Sequence, residues 1–142
     1  MRLTRQDRVL EPLTEEHCWK LLGLQDIGRL AFRQGDEVFV LPVNYILDGR
    51  DAVIRTQLHG PIAKVVAGIP AALQVEDIDE DSRTGWTVLA QVEAMPVDDD
   101  VEASLLETAG LRPWVSGERP FVVRLRVTAL TGRRLNLPRA TS

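Results

Sequence analysis

The sequence predicts a mainly β protein, in which an antiparallel sheet of about six strands closes into a small barrel with short helices between the strands. Two observations support this prediction. Apolar and polar residues alternate with the period of a strand in several segments, for example over 29–33. Turn signals around Gly35 and at Asp48-Gly49 join neighbouring segments as hairpins. Strands joined by hairpins are antiparallel, so the pattern differs from the βαβ units of a parallel sheet.

Local signals place the individual elements along the chain. Thr14 caps a first helix, acids occupy its first turn, and Gly23 or Gly28 ends it. Pro42 is expected to interrupt or bend the second strand, and the acidic run 77–81 to form a solvated loop. We expect strands over 28–33, 38–47, 52–56, 71–75, 86–97 and 121–135, and further helices over 61–67 and 98–106.

Length and composition indicate one soluble globular domain. The chain has 142 residues, of which 44% are hydrophobic and 27% charged, so we expect a sizeable core. We expect an N-terminal arm over 1–12, the single domain over 13–136 and a C-terminal tail over 137–142. A net charge of −4 argues against a general nucleic-acid-binding protein, since such a protein needs a basic face.

The composition also predicts a cytoplasmic protein. No apolar run reaches the roughly 18 residues of a membrane span. The charged N-terminus lacks the pattern of a secretory signal. The single cysteine, Cys18, excludes an internal disulfide and suits a reducing compartment. We expect no metal site, because the acidic run lacks the spacing of an EF-hand loop.

Catalysis by side chains alone has little support in the sequence. The chain has two histidines, His17 and His59. His17 and Cys18 cannot act as a pair on one helix, because adjacent helical residues point about 100° apart. Neither a nucleophile elbow nor a zinc-binding helix motif is present. The sequence therefore assigns no catalytic residue.

A phosphate site is indicated at the end of the strand expected over 52–56. Arg55 and Thr56 end a strand, and Gly60-Pro61 begins a helix a few residues later. The N-terminus of a helix has free amides and a positive dipole end, both of which suit a phosphate. Arg55 adds a bidentate donor and Thr56 a hydroxyl. The alternative is that Arg55 pairs with a nearby acid while Thr56 closes a turn.

Two tryptophans are candidates for contact with a flat ligand. Trp86 begins a strand, and Trp114 lies in a segment rich in proline and glycine. A tryptophan in either position is often half exposed and free to stack. Each is just as often a lid over the core.

The order and spacing of seven short motifs resemble a known family. The motifs are Leu30-Ala31-Phe32, Pro42-Val43-Asn44-Tyr45, Asp48-Gly49, Ile54-Arg55-Thr56, Gly85-Trp86-Thr87-Val88, Pro113-Trp114 and Thr131-Gly132-Arg133-Arg134. Together they are similar to the pyridoxamine 5′-phosphate oxidase-like proteins, the flavin-binding split β-barrels, in their actinobacterial-type branch. The resemblance covers about residues 13 to 135.

The resemblance implies a homodimer with two FMN sites in clefts between the subunits. It implies that the strand containing Pro42, Val43 and Asn44 passes along the flavin ring, with backbone contacts to the ring edge. Arg55 and Thr56 occupy positions that hold the ribityl phosphate in the family. The partner subunit would supply residues near Trp86 and Trp114.

One motif departs from the family. A lysine is expected about five residues after Thr56, where this chain has Pro61. Lys64 lies about one helical turn further on, at a rise of roughly 4.5 Å, and a lysine side chain covers part of that distance. His59, Gly60 and the helix amides are further candidates for the phosphate. The departure weakens the expected cofactor site more than the expected fold.

The leading functional hypothesis is an FMN-dependent oxidoreductase that acts on a small organic substrate. The flavin would transfer the hydride or electrons, which explains why the chain shows no acid–base constellation. The oxidation of pyridoxamine phosphate itself is not expected, because no basic substrate-phosphate pocket is visible near the C-terminus. One alternative is a deazaflavin-dependent reductase of the same fold. The other is a non-catalytic split barrel, with or without flavin, that acts as a sensor or carrier.

Overall fold

The computed structural model describes residues 10–56, 62, 69–97 and 121–136. These residues form one helix and seven strands. The elements are β1 (Leu10–Pro12), α1 (Glu15–Leu22), β2 (Ile27–Gln34), β3 (Glu37–Asp48), β4 (Asp51–Thr56), β5 (Ala71–Asp79), β6 (Thr84–Pro96) and β7 (Phe121–Asn136).

The strands form one antiparallel sheet that closes on itself. Its order is β1-β7-β4-β3-β2-β5-β6, and a further pairing of β6 with β7 closes the six strands β2 to β7 into a barrel. The 16 residues of β7 make this closure, since they pair with β6, with β4 and, near the end, with β1. The predicted fold class, a mainly β antiparallel split barrel, is confirmed.

The predicted turns and helix cap are confirmed in detail. Gly35 and Gly49 have φ angles of 63° and 64°, the left-handed conformation that favours glycine in a tight hairpin turn. Thr14 caps α1, because its Oγ1 accepts a hydrogen bond of 3.1 Å from the backbone N–H of His17. The helix ends at Leu22, with Gly23 as its C-cap.

Two predicted boundaries were wrong. β3 runs through Pro42 without interruption, because this part of β3 pairs with β2 on one side and has no second partner among the described residues. β5 continues beyond Val75 to Asp79, where its acidic residues pair with the start of β6. Within the N-terminal arm expected over 1–12, Leu10–Pro12 form β1, which pairs with β7. The helices predicted over 61–67 and 98–106 fall almost entirely outside the described residues.

The barrel interior is the hydrophobic core. Alternate residues of the strands point inward, and α1 adds Cys18, Leu21 and Leu22 from the side of β6 and β7. Burial, with Glu15 as a second cause, raises the pKa of the Cys18 thiol, so Cys18 packs in the core as a neutral group. Ile62 also reaches the core. The described part of the chain contains no helix long and apolar enough to cross a membrane.

Candidate functional site

The strands β3 and β4 separate at one end of their hairpin. They pair from Asp48 and Asp51 at the turn to Tyr45 and Ile54. Beyond this point β3 pairs with β2, while the last two residues of β4 pair with β7. We call this separation the fork, bounded by residues 43–44 on β3 and 55–56 on β4. It brings together the two segments that the sequence assigned to the flavin ring and to the phosphate.

Strand alternation decides which fork side chains leave the core. Val43 and Tyr45 are buried in the barrel interior, so the intervening Asn44 points to the outer face and is half-buried. Ile54 also points inward, and the next residue, Arg55, is half-buried on the outer face beside its cross-strand partner Val122. Asn44 and Arg55 therefore lie on the same outer face of the sheet.

The β3 side of the fork is held in place by the connection between α1 and β2. The hydroxyl of Tyr45 donates a hydrogen bond of 2.5 Å to the carbonyl of Leu22. The backbone N–H of Tyr45 donates to the carbonyl of Asp26 at 3.0 Å, and Asn44 Nδ2 donates to the same carbonyl at 3.5 Å. Burial, with Asp26 as a second cause, raises the pKa of Tyr45, so its hydroxyl stays a protonated donor.

A cavity of about 580 Å³ lies beside the fork on the outer face. This volume is in the range of small-molecule sites. Pro42, one of the residues predicted to contact the ring, lines this cavity together with Arg29 of β2. The remaining lining residues are Gln25, Asp26, Ile27, Gly28, Glu76, Asp77, Ile78 and Glu80.

The predicted site residues divide into three groups. The first group, Pro42, Val43, Asn44, Arg55 and Thr56, is brought together at the fork. Since the side chain of Val43 is in the core, this residue can offer a ligand only its backbone.

Trp86 forms the second group. It is 9% exposed and belongs to the core cluster, so of its two interpretations the structure favours the lid over the core. The third group lies outside the described residues: His59, Gly60, Lys64 and Trp114.

Sequence reasoning missed Arg29. The signal was present in the hairpin around Gly35, which pairs Gln34 with Glu37. Counting back from that pair sets Arg29 opposite Pro42, and the alternation of β2 turns it outward.

Comparison with known proteins identifies the family. The family model described as pyridoxamine 5′-phosphate oxidase matches residues 14–134, most of the chain. The chain belongs to the pyridoxamine 5′-phosphate oxidase family. An uncharacterized protein of Mycobacterium tuberculosis is a relative, 30% identical over 134 residues, which cover 90% of this chain and 87% of the relative.

Two solved structures have a fold similar to that of this chain. The FAD binding protein from Mycobacterium smegmatis is 25% identical, with a TM-score of 0.71 over 89% of this chain and 98% of that protein. A conserved protein of unknown function from Corynebacterium diphtheriae is 26% identical, with the same TM-score and the same coverage. These relatives fit the actinobacterial-type branch of the pyridoxamine 5′-phosphate oxidase family that the sequence predicted.

Proposed function

We propose that this protein binds FMN at the fork and is an oxidoreductase acting on a small organic substrate. The observation that carries the proposal is the convergence of Asn44 and Arg55 on one outer face, beside a ligand-sized cavity lined by Pro42. Membership of the family and the flavin bound by the Mycobacterium smegmatis protein add support.

The donors at the fork suit the chemistry of FMN. Arg55 carries a guanidinium that can hold a phosphate through two parallel hydrogen bonds, and Thr56 brings a hydroxyl next to it in sequence. The amide of Asn44 can both donate and accept, as the polar edge of a flavin ring requires. Pro42 offers an apolar surface, and the backbone of Val43 supplies peptide groups. His59, Gly60, Lys64 and Trp114 complete the proposed contacts.

When bound, FMN supplies hydride or electron transfer. The residues of this chain bind and orient the cofactor and shield it from water, so no acid–base pair of side chains is needed. Cys18 is buried as a free thiol, which suits the reducing cytoplasm where we place the protein.

A second copy of the chain is the proposed partner across this site. Val38 and Val40 are 72% and 57% exposed on the outer face of β3, and Ile27 is 46% exposed on β2 opposite Asn44. Large apolar side chains gathered on one outer face are typical of an interaction surface. We propose a homodimer that covers this surface and encloses the cofactor between its subunits.

FAD is a second candidate cofactor, because the Mycobacterium smegmatis neighbour is an FAD binding protein. FMN and FAD share the flavin ring and the first phosphate, so the fork residues fit both. Deazaflavin is the third candidate cofactor. Titration of the purified chain with each cofactor separates the three.

The test compares Arg55→Ala with Arg126→Ala. Loss of one charged hydrogen-bond donor is worth about 1.5–3 kcal/mol, so we expect Arg55→Ala to raise the Kd for FMN at least tenfold. Arg126 lies on the neighbouring strand at the other end of β4, where it pairs with Glu93 at 2.6 Å. The Arg126→Ala control should leave the Kd within about twofold.

The titration and two further measurements decide the proposal. An unchanged Kd in Arg55→Ala removes the phosphate assignment, and failure of the wild type to bind any flavin removes the proposed function. Sedimentation should show a dimer at micromolar concentration, and a monomer would contradict the shared site. Reduction and reoxidation of the bound flavin by small organic substrates, followed by its visible absorbance band, tests the oxidoreductase activity.

A further inference from the structure

The cavity beside the fork carries an excess of negative charge. Its lining includes one positive side chain, that of Arg29, and four carboxylates, those of Asp26, Glu76, Asp77 and Glu80. Four carboxylates against one guanidinium leave a formal excess of three negative charges. A cleft lined by one sign of charge attracts ligands of the opposite sign and repels those of its own. The lining therefore favours a cationic ligand over an anionic one.

The single guanidinium does not offset this excess. Arg29 Nη1 donates to Glu76 Oε1 at 3.0 Å, so these two charges compensate each other. Gln74 Nε2 donates to the same oxygen at 3.0 Å and to Thr87 Oγ1 at 2.9 Å, which ties the ion pair to β6. Three lining carboxylates form no ion pair with any residue that the structure describes: Asp26, Asp77 and Glu80.

Asp26 connects the cavity with the fork. It directly precedes β2, and its carbonyl accepts hydrogen bonds from the backbone N–H of Tyr45 at 3.0 Å and from Asn44 Nδ2 at 3.5 Å. These contacts hold Asp26 beside the part of β3 that we propose to contact the flavin ring. Asp26 is exposed, so its carboxylate is accessible to a ligand in the cavity.

The cavity suits an organic cation better than a metal ion. Ile27, Pro42 and Ile78 add apolar surface to the lining, against which an alkyl or aryl group can pack. A metal ion such as Ca²⁺ needs several oxygen ligands close together. The described part of the chain contains no group of three or more His, Cys, Asp or Glu side chains that could hold one.

The positive and negative parts of the proposed site lie on opposite sides of β3. In the sheet order β4-β3-β2-β5, Arg55 lies on β4, whereas most residues that line the cavity belong to β2 and β5 or follow these strands closely. A phosphate at Arg55 and a cation in the cavity are therefore compatible. The flavin ring that we propose along β3 would lie between them, next to both.

We propose that the substrate of this protein is a small organic cation with an apolar body, and that Asp26 pairs with its positive charge beside the flavin ring. The inference rests on the proposed function, the binding of FMN at the fork, and names the substrate class of that site. Asp77 and Glu80 add to the attraction from the far end of β5. These carboxylates select the substrate by its charge and take no part in the transfer of electrons.

The test uses three probes of similar size and different charge: benzylammonium, benzyl alcohol and benzoate. Each probe is titrated into the FMN-loaded protein near neutral pH, and its Kd is measured by calorimetry. We expect benzylammonium to bind at least about tenfold more tightly than benzyl alcohol, and benzoate to bind more weakly than either. Added salt should reduce the difference, because it screens the attraction between exposed charges.

Asp26→Asn and Asp36→Asn form a matched pair of variants. Both replace an exposed aspartate by its amide, one just before β2 and one in the turn after it. We expect Asp26→Asn to raise the Kd for benzylammonium about fivefold and to leave the Kd for benzyl alcohol within about twofold. Asp36→Asn should change neither. The affinity for FMN should be the same in both variants, since the backbone contacts of Asp26 remain.

The outcomes separate this inference from the proposed function. Failure of the wild type to bind FMN overturns the proposed function and the inference with it. If FMN binds but benzylammonium does not, or binds no better than benzyl alcohol or benzoate, the inference alone is overturned. It is also overturned if Asp26→Asn keeps the affinity of the wild type for benzylammonium, or loses no more of it than Asp36→Asn. If Asp26→Asn does not fold, Glu80→Gln decides, because an unchanged Kd for benzylammonium in that variant contradicts the inference.

Discussion

The inner and outer faces of β2, β3 and β4 carry different properties of this protein. On the inner face, Leu30 and Ile54 are fully buried, and Tyr45 is 2% exposed. On the outer face of the same strands, Arg29 and Asn44 remain in contact with solvent. Arg29 and Leu30, like Asn44 and Tyr45, therefore differ in surroundings although they are adjacent in sequence. Val53, on the outer face of β4, is instead buried in a second, small apolar cluster with Val122. Packing in the core restricts the inner residues to apolar types. The solvent-exposed outer residues are not restricted in this way, so they can be of the types that a ligand requires.

The two faces also differ in how they contribute to stability. Among the described residues, the buried set is apolar, with no buried charged side chain. The outer face instead has exposed ion pairs such as Arg29 with Glu76 and Arg126 with Glu93. Exposed pairs contribute about 0–1 kcal/mol each, whereas burial of a large apolar side chain contributes about 1.5–3 kcal/mol. Changes to the inner face should therefore destabilise the fold, and changes to the exposed part of the outer face should alter binding.

A large effect on stability is expected at Gly132, on the inner side of β7. A Cβ at this position would lie 2.6 Å from Cys18 Sγ and 3.1 Å from the carbonyl of Thr87. Overpacking of a dense core typically costs about 1–3 kcal/mol. We expect Gly132→Ala to lower the free energy of unfolding by about 2 kcal/mol in urea denaturation. Ala129→Ser, at an exposed position of the same strand, should change it by less than about 0.5 kcal/mol.

The double variant shows whether the contact with Cys18 causes this loss. Cys18→Ala removes Sγ, so Gly132→Ala should cost less in that background, with a coupling of at least about 1 kcal/mol. Equal costs in both backgrounds would show that the contact with Cys18 Sγ does not cause the loss of stability in Gly132→Ala.

A smaller effect is expected from Tyr45→Phe, the change that releases β3 from α1. Loss of the hydrogen bond to the Leu22 carbonyl should cost about 1 kcal/mol at neutral pH. Tyr45 is the only tyrosine, and its pKa in the folded protein is raised above the ordinary value of about 10. Stability is therefore lost above about pH 10, where the unfolded chain releases the phenol proton and the folded chain retains it.

The free energy of unfolding, measured between about pH 8 and 11 around the ordinary tyrosine pKa of about 10, checks this prediction. The wild type should lose stability more steeply than Tyr45→Phe over the alkaline part of the range, while lysine titration affects both alike. Parallel pH profiles would contradict a protonated, buried Tyr45 as the link between the core and the fork.

Much of the fold could be predicted because its signals are local. The positive φ of Gly35 and Gly49 and the cap at Thr14 depend on a few adjacent residues, and the sequence identified all three. The path of β3 through Pro42 could not be predicted, since it depends on which strands lie on either side. The extension of β5 to Asp79 also depends on pairing with a distant segment, which outweighs the low strand propensity of aspartate.

The site was predictable in part for the same reason. Arg55 and Asn44 were identified from motifs, but their convergence arises from the fork, a property of the four strands β2, β3, β4 and β7 together. Trp86 was ambiguous, because its position at a strand start does not reveal which face it occupies. Arg29 was missed because its importance comes from its neighbour across the ladder, Pro42.

Backbone hydrogen exchange with and without FMN tests most directly whether the cofactor binds on the outer face at the fork. Slower exchange is predicted on addition of FMN in peptides that contain Val43, Asn44 and Arg55. Exchange around Gly35, at the other end of the β2–β3 hairpin, should not change. Protection confined to other segments while FMN is bound would contradict the account.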